Sequence, residues 1–388
     1  MRILERGIYF VVFCLPLYLI RFNIFNIPTT LLELLIYALF ILWLVKGFKF
    51  KEFKALPLAY CSLFSAIFLI LIGAGIAVFY SWNIRTSLGI LKGWFVDPLL
   101  FLVVVVSVIK KPKQFKGIFY SLILSGFVIS IVSLIYLVCG KLDASSRLQI
   151  FYTSPNYLAM YLMPIFILSF YLFLEEKRAI FLFAALLIFL VIVFTESFGA
   201  FLGLIFALIF GLGVYLYKKK PAYGRLALAG KKLFLIIFCF GIVIVSLLIY
   251  WKINSMQGKL SLDSRLEIWQ RAWNVFKAYP FTGIGPGTFG DYFPPYPRWG
   301  VPQPHNLYLA FLIQTGIFGF IGFIWLAVWF FRRGFEDLKK NLLSLPLLMV
   351  MVYFLGHGLV DTTYWKNDLS IFFWLIIGLM AILKKNPG

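Results

Sequence analysis

The sequence predicts an all-α, polytopic membrane protein of about twelve transmembrane helices, with one large loop outside the membrane between helices 9 and 10. Three observations predict it. Of the 388 residues, 62% are hydrophobic and 13% charged, whereas a soluble domain carries about a quarter charged residues. Apolar runs of about 18 to 22 residues recur along the chain, long enough to cross a hydrocarbon core of roughly 30 Å. The basic residues favour alternate loops. With the N-terminus in the cytoplasm, 24 of the 36 Lys and Arg fall in cytoplasmic segments, among them Lys46 to Lys54, Lys110 to Lys116, Lys218 to Lys232 and Arg332 to Lys340, as the positive-inside rule requires. The net charge of +21 is therefore topology and contact with anionic head groups, not nucleic-acid binding. Residues 1–388 read as one membrane domain with both termini cytoplasmic.

The elements follow in order. Helix 1 runs from about Gly7 to Ile20 and is retained, since no small-residue cleavage site precedes the next span. Helix 2 covers about Thr29 to Val45 and helix 3 about Leu56 to Phe79. The outer piece Tyr80 to Gly93 places Arg85 and Lys92 seven residues apart, on one face of a short interfacial helix. Helix 4 spans about Trp94 to Ile109 with Asp97 near its outer end, and helix 5 ends near Cys139. Gly140 to Asn156 forms the second outer loop, with Asp143 and Arg147. Helix 6 runs to about Leu174. Helices 7 and 8 form a hairpin with Thr195-Glu196-Ser197-Phe198-Gly199 at its outer tip, and helix 9 ends near Trp251. Helix 10 begins near His305, helix 11 spans about Leu343 to Asp361, and helix 12 about Leu369 to Leu383. Cys14, Cys61, Cys139 and Cys239 lie in or beside apolar runs without metal-ligand spacing and read as core hydrophobes.

Residues 252–305 form the large outer loop. Ser264 followed by Glu267 is a capping-box pattern, and Leu266, Trp269, Trp273 and Phe276 recur at helical spacing. An amphipathic helix is expected from about Arg265 to Ala278, its aromatic face on the membrane or the bundle. Pro280 and the Gly283-Ile284-Gly285-Pro286-Gly287 series end it. That series lacks the preceding strand and following Gly-Lys-Ser/Thr of a phosphate loop and reads as a turn.

Both histidines, His305 and His357, fall at outer helix ends, His357 one turn before Asp361. A lone histidine at a helix start is more often a cap. His305 stands in a spaced pattern with Asn306, Gly316 and Gly319, whose glycines would share a face of helix 10, permit close helix packing and fix the height of the helix start. Arg265 and Arg271 flank the aromatic stripe, and Arg147, Arg85 and Lys92 are further outer cations. A solvated face accounts for any one of them. Several together, with few outer carboxylates, suit an anionic substrate, because guanidinium groups fork two hydrogen bonds to phosphate. Asn306 and Glu196 are further candidate substrate contacts. There is no Asp-x-Asp, no Walker motif and no metal-spaced cluster, so neither metal nor nucleotide cofactor is expected.

Arg265-x-x-x-Trp269, Pro280-x-x-Gly283-Ile284-Gly285-x-Gly287-x-Phe289 and His305-Asn306-x9-Gly316-x-x-Gly319 together resemble the signature of the O-antigen ligase/polymerase superfamily, over about Thr195 to the C-terminus. The resemblance implies a metal-independent glycosyltransferase of the bacterial inner membrane. Its donor would be a glycan on undecaprenyl pyrophosphate at the periplasmic leaflet, its acceptor a lipid A-core sugar hydroxyl, and the 252–305 loop part of its active site. It also implies that His305 takes the acceptor proton and Arg265 binds pyrophosphate. One departure stands out. Members commonly carry Ser-Arg-Gly at the helix 7–8 tip, where this chain has Ser197-Phe198-Gly199, so Arg147, Arg85 or Lys92 would supply that charge, or the donor differs. A polymerase or a protein O-oligosaccharyltransferase would use the same site logic. A transporter would show ionisable residues at the midplane and repeated halves; Glu33 and Asp97 lie nearer the outer end, and no repeat is visible.

Overall fold

The computed structural model describes residues 2–25, 27–47, 58–143, 145–218, 256–292, 302–338 and 341–383. The chain is helical nearly throughout: α1 (Arg2–Phe13), α2 (Leu31–Gly47), α3 (Leu58–Phe79), α4 (Ile84–Leu91), α5 (Asp97–Val108), α6 (Pro112–Val138), α7 (Pro155–Glu176), α8 (Ala179–Thr195), α9 (Phe198–Lys218), α10 (Met256–Ala278), α11 (Leu307–Leu338), α12 (Ser344–His357) and α13 (Asn367–Ile382). Among the described residues, five stretches are long and apolar enough to cross a membrane: Cys61–Phe79, Ile84–Val108, Pro112–Val138, Pro155–Glu176 and Leu307–Leu338. Shorter apolar helices accompany them at Ala179–Thr195, Phe198–Val214, Ser344–His357 and Asn367–Ile382. This is an all-α, multi-pass membrane protein. The expected helix 9, and with it the count of twelve, lies outside the described residues, as does part of the large loop.

Four features differ from the sequence reading. Helix 1 is α-helical only to Phe13 and tightens into a 3-10 turn over Leu15–Leu19, because Pro16 cannot donate to a continuing helix. An antiparallel hairpin follows, β1 (Arg21–Ile24) and β2 (Ile27–Thr30), with Arg21 opposite Thr30. The all-α reading held no strand; Pro28 and the β-branched Ile24, Ile27, Thr29 and Thr30 favour one here. The expected interfacial helix is α4, but it does not stand apart. It passes through a π turn, Lys92–Val96, straight into α5. The π turn brings Lys92 to Glu33, Nζ to Oε2 at 2.7 Å, and sets Gly93 against Glu33 and Asn367, where a Cβ would lie 2.9 Å from Asn367 Nδ2. Finally, α10 begins at Met256. Ser264 is therefore inside the helix and is not its cap; Met256, Gln257, Lys259 and Leu260 are good helix formers that outweigh Gly258, and no proline precedes Ser264 in the helix.

Glycines set the closest helix contacts. A Cβ on Gly73 of α3 would overlap the Gly319 backbone of α11, and one on Gly322 would come within 2.7 Å of Ile70 N. Gly199 and Gly203 of α9 lie against His357 and Tyr353 of α12. Helix α13 is buried along its whole length. At one end of the bundle the connections meet: Leu148 N donates to Phe194 O at 2.9 Å, and Leu307 N to Gly358 O at 2.7 Å. The opposite end carries its own polar ties, Gln114 to Glu5 and Lys116 to Glu176, each at 2.9 Å.

Candidate active site

The site grows from a break in α11. Gly316 has φ 64° and ψ −175°, outside helical values, so the sequence reading of Gly316 and Gly319 as one packing face holds for Gly319 alone. A broken helix strands backbone groups that must find partners when buried. The turn after α10 supplies them: Ile284 N donates to Ile313 O at 2.9 Å, and Ile317 N to Pro280 O at 3.0 Å. Gly283, Gly285 and Gly287 all have positive φ, a conformation L side chains resist. A Cβ on Gly283 would lie 2.6 Å from Gly316 N, and one on Gly285 2.5 Å from Ser81 Oγ. The glycine series is thus a turn that plugs the α11 break and rests on the α3–α4 connection.

His305 stands two residues before α11 with φ +48°, a left-handed conformation costing a non-glycine residue about 1–2 kcal/mol. Its surroundings hold it there. Trp269 Nε1 donates to His305 O at 3.3 Å. Asn306 caps the helix, its Oδ1 accepting from Leu309 N at 2.9 Å, and its Nδ2 donates to Leu359 O at 2.9 Å. The His305 side chain is 34% exposed, and its Nδ1 lies 3.1 Å from Asp361 Oδ1. The Asp361 side chain is 3% exposed. It also accepts from Asn156 Nδ2 at 2.8 Å and Thr362 N at 2.9 Å. Burial pushes the Asp361 carboxyl up, but His305, His357 and Arg265 around it outweigh that and hold it well below the usual carboxylate range. An ionised Asp361 accepts a hydrogen bond from Nδ1–H, which leaves the His305 Nε2 lone pair to act as the base.

Arg265 lies one turn before Trp269 on α10 and acts electrostatically on Asp361. His305, Arg265, Trp269 and Asp361 thus share one neighbourhood. On α10 the expected aromatic stripe is split. Ile268 and Ala272 are buried against Ile284, Phe289 and Ile313, with Trp269 and Phe276 packed on them, whereas Leu266 and Trp273 stay exposed.

Three of the other predicted cations are committed to carboxylates: Arg147 to Asp143 at 3.1 Å, Lys92 to Glu33 at 2.7 Å and Arg271 to Glu267 at 2.7 Å. Arg85 sits on an exposed position of α4. Glu196, half-buried with φ +48°, ends α8, and Phe198 begins α9.

Three residues outside the sequence-predicted set belong to this end. Asp361 is the histidine's partner. His357 is fully buried beside Gly199, its Nδ1 2.7 Å from Tyr353 OH. Lys366 is 8% exposed, stands 3.5 Å from the Tyr157 ring centroid and donates to Tyr18 OH at 2.8 Å. Burial draws its ammonium below the usual lysine range, against the opposing pull of Asp368 and Asp361. The available signal was the polar run from His357 to Asp368 between two apolar segments. Among the described residues no group of three or more His, Cys, Asp and Glu is placed to hold a metal.

A multi-pass helical membrane protein whose helix ends assemble a histidine–carboxylate pair beside an arginine is the class that this fold and site define. Residues 183–324 match the family model described as O-antigen ligase. Over that stretch, a little more than a third of the chain, the sequence is similar to the O-antigen ligase superfamily, whose members are glycosyltransferase-like enzymes. The match takes in Arg265, the glycine turn, His305 and Gly316; Asp361 lies beyond it. A comparison with curated proteins finds no match.

Proposed function

We propose that this protein is an O-antigen ligase-type glycosyltransferase. It moves a glycan from undecaprenyl pyrophosphate to a lipid A-core sugar hydroxyl at the periplasmic face of a bacterial inner membrane. The 3.1 Å contact between His305 Nδ1 and Asp361 carries the reading. It leaves Nε2 free to take the acceptor proton, on a side chain that is one-third open. The acceptor oxygen then bonds to the anomeric carbon while the carbon–pyrophosphate bond breaks. The leaving pyrophosphate gathers charge, and Arg265 stabilises it through forked hydrogen bonds. The donor already carries a good leaving group, so orientation, one proton transfer and positive charge suffice. Arginine charge in place of a metal makes the reaction metal-independent. Arg271, Arg147, Arg85, Lys92, Asn306 and Glu196 are the candidate substrate contacts; Arg271, Arg147 and Lys92 would exchange a carboxylate partner for phosphate, and Asn306 also caps the helix that follows His305.

Reconstitution with lipid-linked donor and defined acceptors tests the proposal. Wild type transfers glycan to lipid A-core, and His305→Ala and Arg265→Ala each lower the rate by at least about a hundredfold while the protein stays folded. Chain extension on the lipid carrier with no transfer to core would make it a polymerase, and transfer only to Ser or Thr would make it a protein glycosyltransferase. Near-normal turnover by His305→Ala would overturn the proton-acceptor role.

A further inference from the structure

We infer that Gln314 is a positioning residue, the latch that ties the glycine turn to the stretch carrying His305; the inference rests on the glycosyltransferase reading of that site. Gln314 is fully buried on α11, two residues before the Gly316 break. Its Oε1 accepts from Gly287 N at 2.6 Å, and its Nε2 donates to Gln303 Oε1 at 2.8 Å. The amide orientation follows from chemistry: a backbone N–H can only donate, so the oxygen faces Gly287 and the nitrogen faces Gln303. Gln303 is 5% exposed and stands two residues before His305. One buried side chain therefore grips both segments that meet at the site. One is the turn that follows the Arg265 helix. The other is the stretch that leads into the left-handed His305.

Local preference does not hold His305 at φ +48°, because that conformation is disfavoured for a side-chain-bearing residue. Hydrogen bonds from elsewhere hold it, and the Gln314–Gln303 contact ties down the chain on its N-terminal side. A leucine at 314 would fill the same space but grip neither segment. The imidazole would then leave its register with Asp361, and small displacements of a reacting group cost about a hundredfold in rate.

The test uses purified full-length protein in lipid nanodiscs, with turnover counted per folded molecule. Gln314→Leu is expected to lower kcat about a hundredfold with the donor KM changed by less than about threefold. Gln303→Leu, at the other end of the bond, is expected to do the same, and the double variant to be no worse than either single one, as for residues acting through one contact. Gln314→Glu keeps an acceptor for Gly287 and, with the Gln303 amide turned over, a bond to Gln303, so it recovers most of the rate.

A second readout needs no turnover. His305 is the partly exposed histidine and His357 the buried one, so carbethoxylation by diethyl pyrocarbonate reports on His305. Its rate at a fixed pH in Gln314→Leu should move to that of Asp361→Asn, the variant in which the carboxylate no longer holds the imidazole. Wild-type kcat and a wild-type modification rate in Gln314→Leu would overturn the inference, as would independent, multiplicative losses in the double variant. If Gln314→Leu does not fold, Gln303→Leu carries both predictions. Absence of glycan transfer by wild type would instead sink the functional reading, and the modification rate would still decide the role of Gln314.

Discussion

A buried carboxylate with three hydrogen-bond donors is rigid, and at Asp361 that rigidity reaches the imidazole. Asn156 from the start of α7 and the Thr362 backbone fix the carboxylate, and the carboxylate fixes the His305 tautomer. Replacing Asp361 by Asn would let the ring adopt the other tautomer. We expect Asp361→Asn to lower kcat by about 10²–10⁴ with little change in KM, measured by steady-state transfer. A stability signature accompanies this. The folded Asp361 carboxyl is held below its ordinary value, so its contribution is complete above about pH 4 and is lost as pH falls below that. Thermal melts of wild type should therefore drop on acidification through that range, and Asp361→Asn should flatten the drop. His305 and Arg265 were legible in the sequence because residue type and spacing mark them. Asp361 was not, because a contact between residues 56 apart in sequence depends on where α12 ends.

Elements bring these residues together through backbone-to-backbone approach. The α3–α11 crossing closes only because Gly73 meets Gly319, and the glycine turn enters only because Gly316 breaks α11. A side chain at Gly316 would meet Phe281 O and would sit at φ +64°. Gly316→Ala should cost about 1–3 kcal/mol, read as a lower melting temperature in detergent together with lost transfer. The apolar periods gave most helices to within a few residues, since a span must satisfy its own backbone. They misplaced the start of α10, where a capping-box pattern sits inside a helix. They also missed the β1–β2 hairpin, a local pairing of strands too short to register as an apolar period. The separation of α4 from α5 failed because the chain runs on through a π turn that brings Lys92 to Glu33, a contact 59 residues away in sequence that no local period encodes.

At the scale of the whole molecule, His305, Asp361 and Arg265 gather at one end of the bundle, and the proposed function requires that end to face the periplasm. Topology is directly measurable. In a background lacking Cys14, Cys61, Cys139 and Cys239, Phe25→Cys on the 94%-exposed hairpin tip should react with an impermeant maleimide in intact spheroplasts. Lys113→Cys, exposed at the opposite end, should react only after lysis. Because arginine charge is assigned the leaving group, EDTA should leave transfer intact; loss restored by Mg²⁺ would contradict that. The most direct measurement of the central claim is single-turnover transfer by purified His305→Ala and Arg265→Ala, each preloaded with pyrophosphate-linked donor and mixed with acceptor. The account predicts that His305→Ala holds the donor but transfers at least about a hundredfold more slowly, and that Arg265→Ala loses its preference for a pyrophosphate over a monophosphate carrier. Wild-type single-turnover rates in His305→Ala, or unchanged carrier preference in Arg265→Ala, would contradict it.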